Sequence, residues 1–380
     1  MRLAGERRTG TEERAEVAGD ESLSGGDIGV DSDELPFVFT AAKRWSPLVI
    51  SFPHVGLRWP ESFRRPAPQV HFGRNADYEV HRLYPSAEGS GAATIQAIYS
   101  RLLVDLNRAP DDVSPELVPD HPAPRPRPGT GGPGTLGRIP NRGVLWDTAV
   151  GNIPILSAPV AYAELGQRLH SYYHPYYRAI RRLLERRRER FGYAILLEAH
   201  SMPSSVPGDI ILGTLEGGAC DPSIERIALD ALRTADPRTG RGLDVRLNNP
   251  YRGGHLVRSF GRPERGLHAL QVEVNRALYM DETNLQVWAP SASAAGSERS
   301  RARLLTHRRR RLDLLLARLD VLINALAATS LDMRAFEVAN SPLSSPLTEA
   351  SATASSPPPA TVSQRADSLV QPRAAGLKSR

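Results

Sequence analysis

Two histidines each stand just beyond an apolar run. His54 follows Pro47-Leu48-Val49-Ile50-Ser51-Phe52 through Pro53, and His200 follows Tyr193-Ala194-Ile195-Leu196-Leu197 through Glu198-Ala199. Short apolar runs bounded by turn residues read as buried strands, and open α/β sheets deliver functional groups at strand carboxyl ends. Two imidazoles delivered that way can meet at one divalent ion. A catalytic zinc site takes three protein ligands, commonly two His and a carboxylate, and keeps a position for water. The third ligand is sought in Asp77-Tyr78-Glu79-Val80-His81. If that segment is helical, Asp77 and His81 share a face, and spacing leaves both open beside a plainer reading in which Asp77 stabilises a helix start. Glu198 shares the face of His200 on an extended strand, where it can orient the imidazole or form an ion pair at the rim.

Glu273 lies in the run His268-Ala269-Leu270-Gln271-Val272-Glu273-Val274. Burying an unpaired carboxylate is expensive, so its presence requires a reason. One is catalysis, as a general base that takes a proton from an activated water and passes it to a leaving amine; the other is an ion pair with Arg276. Arg82, Arg108, Arg252 and Arg276 follow the polar clusters. A guanidinium grips a carboxylate with two parallel hydrogen bonds, so these four are substrate-binding candidates, of which one or two could fix an acidic substrate. Taken singly, each also reads as an ordinary surface arginine.

Positioning these groups requires a sheet and its covering helices. Residues 102–107 and 209–213 read as further strands, while 158–190, with Pro175 as a break, and 300–328 carry apolar residues at helical spacing. Alternating runs of this kind imply an α/β sheet covered by helices. The Pro- and Gly-dense segment 110–142 is an irregular loop long enough to act as a lid. Residues 1–35 and the Ser-, Pro- and Ala-rich 331–380 read as disordered tails, leaving one domain over 36–330.

Composition narrows the function. With 40% hydrophobic and 24% charged residues among 380, the middle of the chain is globular. No apolar run approaches the ~18 residues of a membrane span, and the polar N-terminus lacks the apolar stretch of a secretion signal, so the cytoplasm is expected. Cys220 is the single cysteine, which excludes thiolate metal sites and internal disulfides. The net charge of +6 comes from arginine, since Lys43 and Lys378 are the only lysines. The densest run, Arg181 to Arg190, alternates with Leu and Glu at helical spacing and reads as a solvated face rather than a nucleic-acid surface. Ser201 lacks a Gly-x-Ser-x-Gly context, and no His-Glu-x-x-His or phosphate-binding glycine loop is present.

Taken in order, Ser51-Phe52-Pro53-His54-Val55-Gly56, Asp77 through Tyr84, Ser100-Arg101-Leu102-Leu103-Val104-Asp105-Leu106-Asn107-Arg108, Tyr173-His174-Pro175-Tyr176, Glu198-Ala199-His200-Ser201-Met202, Gly253-Gly254 and Gln271 through Glu282 resemble the N-formylglutamate amidohydrolase family over roughly residues 45–285. The resemblance implies a three-layer α/β/α fold with a mixed sheet, zinc carboxypeptidase-like (phosphorylase/hydrolase-like). It also implies a zinc-dependent enzyme that cleaves N-formyl-L-glutamate to formate and L-glutamate in histidine breakdown. Carried onto this sequence, it makes His54, Asp77 and His200 the ligands of one Zn2+, Glu273 the general base, and the arginines the holders of substrate carboxylates. The chain departs from the family pattern at Glu198, where Asp is expected, at His81, where a second Asp is expected, and at His255, where an aromatic is expected. The His81 and Glu198 departures motivate an alternative: a non-catalytic binding or regulatory protein that keeps the hydrolase fold.

Overall fold

Runs of Val, Ile and Leu too apolar for a solvated face become the central strands of a mixed sheet. In chain order the strands are β1 (Phe37–Thr40), β2 (Leu48–Phe52), β3 (Ala93–Ala97), β4 (Ala194–Met202), β5 (Ile210–Gly213), β6 (Val245–Leu247) and β7 (Leu267–Asn275). Their order across the sheet is β1-β3-β2-β4-β7-β5-β6. Strands β3, β2, β4 and β7 run parallel, β1 is antiparallel to β3, and the β5 and β6 pair is antiparallel to β7. Every residue of β2, β4 and β7 is buried, as expected of parallel strands covered on both faces. The computed structural model describes residues 22–29, 35–125, 142–288 and 299–331, without side chains at 299–305. These residues lie within one unit, Met1–Val338; a second unit, Ala339–Arg380, falls outside them.

The two faces of the sheet divide the labour. One face, with Ile50, Phe52, Leu197, Ala199, Leu270 and Val272, packs on Ile224 and Leu232 of α2 (Pro222–Arg233) and on Leu315, Leu319 and Leu322 of α4 (Arg299–Ala327). Each of the Val, Leu, Ile and Phe side chains contributes about 1.5–3 kcal/mol by leaving water. The opposite face carries Ser51, Glu198, His200, Gln271 and Glu273. It is covered by α1 (His174–Phe191), whose Tyr176 hydroxyl meets Ser51 Oγ at 2.9 Å, and by α3 (His255–Phe260), which contacts β4 and β7. This makes the three α/β/α layers.

Several local expectations change. Residues 102–107 are buried but form turns rather than a strand: Ser100 Oγ accepts the Leu102 N–H and Asp105 Oδ1 accepts the Asn107 N–H, so short polar side chains satisfy the backbone that a ladder would have used. Strands β1, β3 and β6 escaped the periodicity reading. Pro175 does not end its helix; a π turn at Leu169–Tyr173 precedes α1 and leaves the proline in its first turn, where no amide donor is needed. Arg187, expected on a solvated face, is fully buried and donates from Nε to the Leu48 carbonyl at 3.1 Å. Residues 22–29, expected in a tail, are also packed: Ile28 is fully buried, and Arg178 and Arg186 of α1 donate to the Ile28 and Ser22 carbonyls. The remaining tail residues before 35, those from 332 onward, and 126–141 of the expected lid lie outside the described residues. Residues 110–125 are turns that bury Val113 and Val118.

Candidate active site

Three chain segments meet at the carboxyl ends of β2 and β4. The chain leaves β2 at Phe52 and turns through His54, while His200 lies within β4 near its end. The Asp77 amide donates to the His54 carbonyl at 2.9 Å, which sews the 70s segment to that turn. The imidazoles of His54 and His200 face each other with ring centres 4.9 Å apart. One ligand atom from each of His54, Asp77 and His200 falls within 4.8 Å of the others, and all three residues are buried.

Asp77 Oδ2 is the centre of this cluster. It lies 2.8 Å from His200 Nδ1 and 3.4 Å from His54 Nδ1. Its other oxygen, Oδ1, accepts the Ser201 hydroxyl at 3.2 Å. Behind the imidazoles stand two more acids, with Asp105 Oδ1 at 2.7 Å from His54 Nε2 and Glu198 Oε1 at 3.0 Å from His200 Nε2. The Asp105 carboxylate at His54 Nε2 fixes that tautomer and turns its Nδ1 inward, the arrangement that raises ligand basicity in metal sites. His54 Nδ1 is buried without a hydrogen-bond partner. An orphaned, inward-facing imidazole nitrogen beside a carboxylate fits a cation ligand. Burial works to raise the Asp77 carboxyl, but the hydrogen bond and charge of His200, with His54 close by, hold it well below the usual range.

Glu273 faces this cluster from the neighbouring strand. Its Cα pairs in register with that of His200, so both side chains leave the same face of the sheet. Gln271 Nε2 donates to Glu273 Oε1 at 2.8 Å. Burial, with the negative charges of Asp77 and Glu198 added and the charges of His200 and Arg101 opposing, pushes the Glu273 carboxyl up to about 7. A carboxyl poised there can both take and return a proton at neutral pH.

Residues 46–280 match the N-formylglutamate amidohydrolase family. The chain belongs to this family. An N-formylglutamate deformylase of Pseudomonas putida is 32% identical over 247 residues, which are 62% of this chain and 83% of that protein. Another, of Pseudomonas aeruginosa, is 35% identical over 246 residues with the same coverage. The crystal structure of N-formylglutamate amidohydrolase from Ralstonia eutropha JMP134 is 27% identical, with a TM-score of 0.58 over 76% of this chain and 97% of that one.

In this amidohydrolase-family chain the expected arginines disperse. Arg82 is 65% exposed and pairs with Glu79 at 3.5 Å, and Arg252 is 66% exposed and pairs with Glu216 at 3.1 Å; neither is brought to the cluster by these contacts. Arg276 is buried and spends its donors on the Ser201 hydroxyl, Glu282 and the Ala76 carbonyl, with Asp77 Oδ1 at 3.8 Å. It braces Asp77. Arg108 donates to the carbonyls of Arg142 and Asn107. His81 also leaves the cluster, because Glu79 takes a left-handed backbone (φ 58°) and the helix that would have aligned His81 with Asp77 does not form. His81 instead lies half-buried with its ring 6.4 Å from Phe52.

Three groups were not picked out from sequence. Asp105 was hidden inside a run read as a strand. Asn107 places Nδ2 3.2 Å from His200 Nε2 and accepts the Leu256 amide, with Gly254 leaving room: a Cβ there would lie 2.2 Å from Asn107 Nδ2. Gln271 was legible in principle, since it shares the face of Glu273 two residues away. Among the described residues no helix is long and apolar enough to cross a membrane.

Proposed function

We propose that this chain is a metal-dependent amidohydrolase that cleaves N-formyl-L-glutamate to formate and L-glutamate. The observation that carries the reading is the buried His54, Asp77 and His200 cluster, with an unpartnered His54 Nδ1, facing a glutamate whose carboxyl is pushed up to about 7. Family membership supplies the substrate. His54, Asp77 and His200 would hold one Zn2+, the ion favoured by two imidazoles and a carboxylate. When bound, the ion polarises an amide carbonyl and lowers the pKa of water.

The protein side chains supply the rest. Asp105 keeps the His54 imidazole turned inward, and Arg276 with Ser201 holds Asp77 by its outer oxygen. Glu273 takes a proton from the attacking water and returns it to the amine nitrogen as the C–N bond breaks. Water adds to the formyl carbon, the C–N bond breaks, and the second proton of that water passes from the nascent formic acid to the amine, so that formate and the ammonium form of glutamate leave. Gln271 holds Glu273 Oε1 and so leaves Oε2 for that transfer. The family resemblance further implies a cytoplasmic role in histidine breakdown.

Formate release from N-formyl-L-glutamate by zinc-loaded protein, with and without a chelator, tests the reading. Turnover that the chelator abolishes and zinc restores is expected. Tight binding of the substrate without turnover would establish the non-catalytic alternative instead.

A further inference from the structure

Trp146 gathers two arginines beside the active site. Arg101 Cζ lies 4.5 Å and Arg142 Cζ 4.9 Å from the centre of its ring. Trp146 Nε1 donates to Asp105 Oδ2 at 3.0 Å, and Asp105 Oδ1 is the partner of His54. Both guanidiniums are thus tied, through one tryptophan and one carboxylate, to a residue of the proposed ligand set. Arg108 reaches the same place, with Nε on the Arg142 carbonyl oxygen at 2.8 Å.

The anion already present is fully used. Asp105 Oδ2 accepts Arg101 Nε, Arg101 Nη2 and Trp146 Nε1, while Oδ1 accepts His54 and the Asn107 amide. Arg101 keeps Nη1 without a hydrogen-bond partner among the described residues. Arg142 is half-buried, and its Nε is buried with no partner. Burial and the positive charges of Arg101 and Arg108 pull its pKa below the ordinary arginine value, with Asp147 and Tyr251 opposing. The charge of Arg101 also acts on both Glu273 and Tyr251. Grouped cations in a partly dehydrated place repel one another, and a bound carboxylate relieves that cost through charge-assisted hydrogen bonds.

We propose that Arg142, together with the free Nη1 of Arg101, forms the subsite for one of the two carboxylates of the substrate, and so sets the preference for an N-acylated acidic amino acid. The inference rests on the amidohydrolase reading above and assigns its anion recognition to arginines other than Arg82, Arg252 and Arg276.

The test compares N-formyl-L-glutamate with its two mono-amides, N-formyl-L-glutamine and N-formyl-L-isoglutamine, on zinc-loaded wild type, Arg142→Gln and Arg142→Lys. In Arg142→Gln the kcat/KM preference for the diacid over one mono-amide should shrink at least about tenfold, mainly through KM, as the loss of a charge-assisted hydrogen bond implies. Arg142→Lys should fall between, because it keeps the charge and loses the fork. Zinc content and melting temperature show that each variant is folded and loaded; if Arg142→Gln is not, Arg142→Lys carries the test with the same direction. Wild-type preferences retained against both mono-amides would overturn the subsite. Wild type that releases formate from none of the three would instead overturn the amidohydrolase reading itself.

Discussion

His54 Nε2 lies 2.7 Å from Asp105 Oδ1, and this contact decides which nitrogen of the ring faces Asp77 and His200. Burial works to raise the Asp105 carboxyl, but the charge of Arg101 and the hydrogen bond from His54 hold it well below the usual range, so it stays ionised and accepts a hydrogen bond. The proton of a neutral His54 then resides on Nε2, and Nδ1 offers its lone pair inward.

Asp105→Asn should therefore weaken zinc binding by about 10- to 100-fold, the usual cost of losing the partner behind a metal-binding histidine. Competition with a chromophoric chelator measures this directly. Wild-type affinity in a folded variant would show that Asp105 does not prepare His54 for the ion.

Glu273→Gln should retain zinc and lose turnover by about 10²- to 10⁴-fold, the range for removing a general base. Because the base form of Glu273 accumulates as pH rises through about 7, kcat/KM should fall on the acid side, and zinc's positive charge moves that limb to lower pH. Gln271→Leu removes a hydrogen bond that favours the charged carboxylate, so its acid limb should move to higher pH than that of the wild type. A limb that stays in place, or moves down, counts against Glu273 as the titrating base.

Arginine substitutions should separate by burial. Arg82→Ala and Arg252→Ala disturb exposed ion pairs and should change stability by less than about 1 kcal/mol, with kcat/KM near wild type. Arg276→Met leaves Asp77 and Glu282 without their buried cation and should cost about 3–5 kcal/mol. Urea unfolding with parallel kinetics distinguishes the two groups, and a large KM effect at Arg82 or Arg252 would restore a substrate role there.

His268 gives stability its own pH dependence. Burial pushes this imidazole down to about 4 although the charge of Asp221 opposes the shift, and its Nδ1 accepts the Asp221 amide at 3.2 Å. Its folded pKa lies below the unfolded value near 6.5, so the unfolded chain binds the extra proton first. The contribution is whole above about 6.5 and is lost as pH falls toward 4, on the order of 3 kcal/mol. His268→Asn should flatten that part of the stability curve; an unchanged slope would show that His268 is not the group being protonated.

Much of the frame was legible because it depends on residue type and local period. The apolar runs at 47–52, 193–197 and 268–274 could satisfy their side chains only by burial on both sides, and they are the central strands β2, β4 and β7. Residues 102–107 had the same look and are not a strand, since Ser100 and Asp105 close turns over them. An apolar run records that a segment is buried, not how its backbone is satisfied.

By itself, the sequence determined an α/β chain of the amidohydrolase family, with His54, His200 and Glu273 set in or beside buried strands. Only the tertiary structure brought Asp77 rather than His81 beside His54 and His200, set Asp105, Asn107 and Gln271 against His54, His200 and Glu273, and gave donors of Arg276 to Ser201, Glu282 and the Ala76 carbonyl. The reason is physical. A strand and the face it presents follow from local chemistry, whereas the partner of a charge depends on distances between segments far apart in the chain, and a single left-handed residue such as Glu79 redirects every side chain after it.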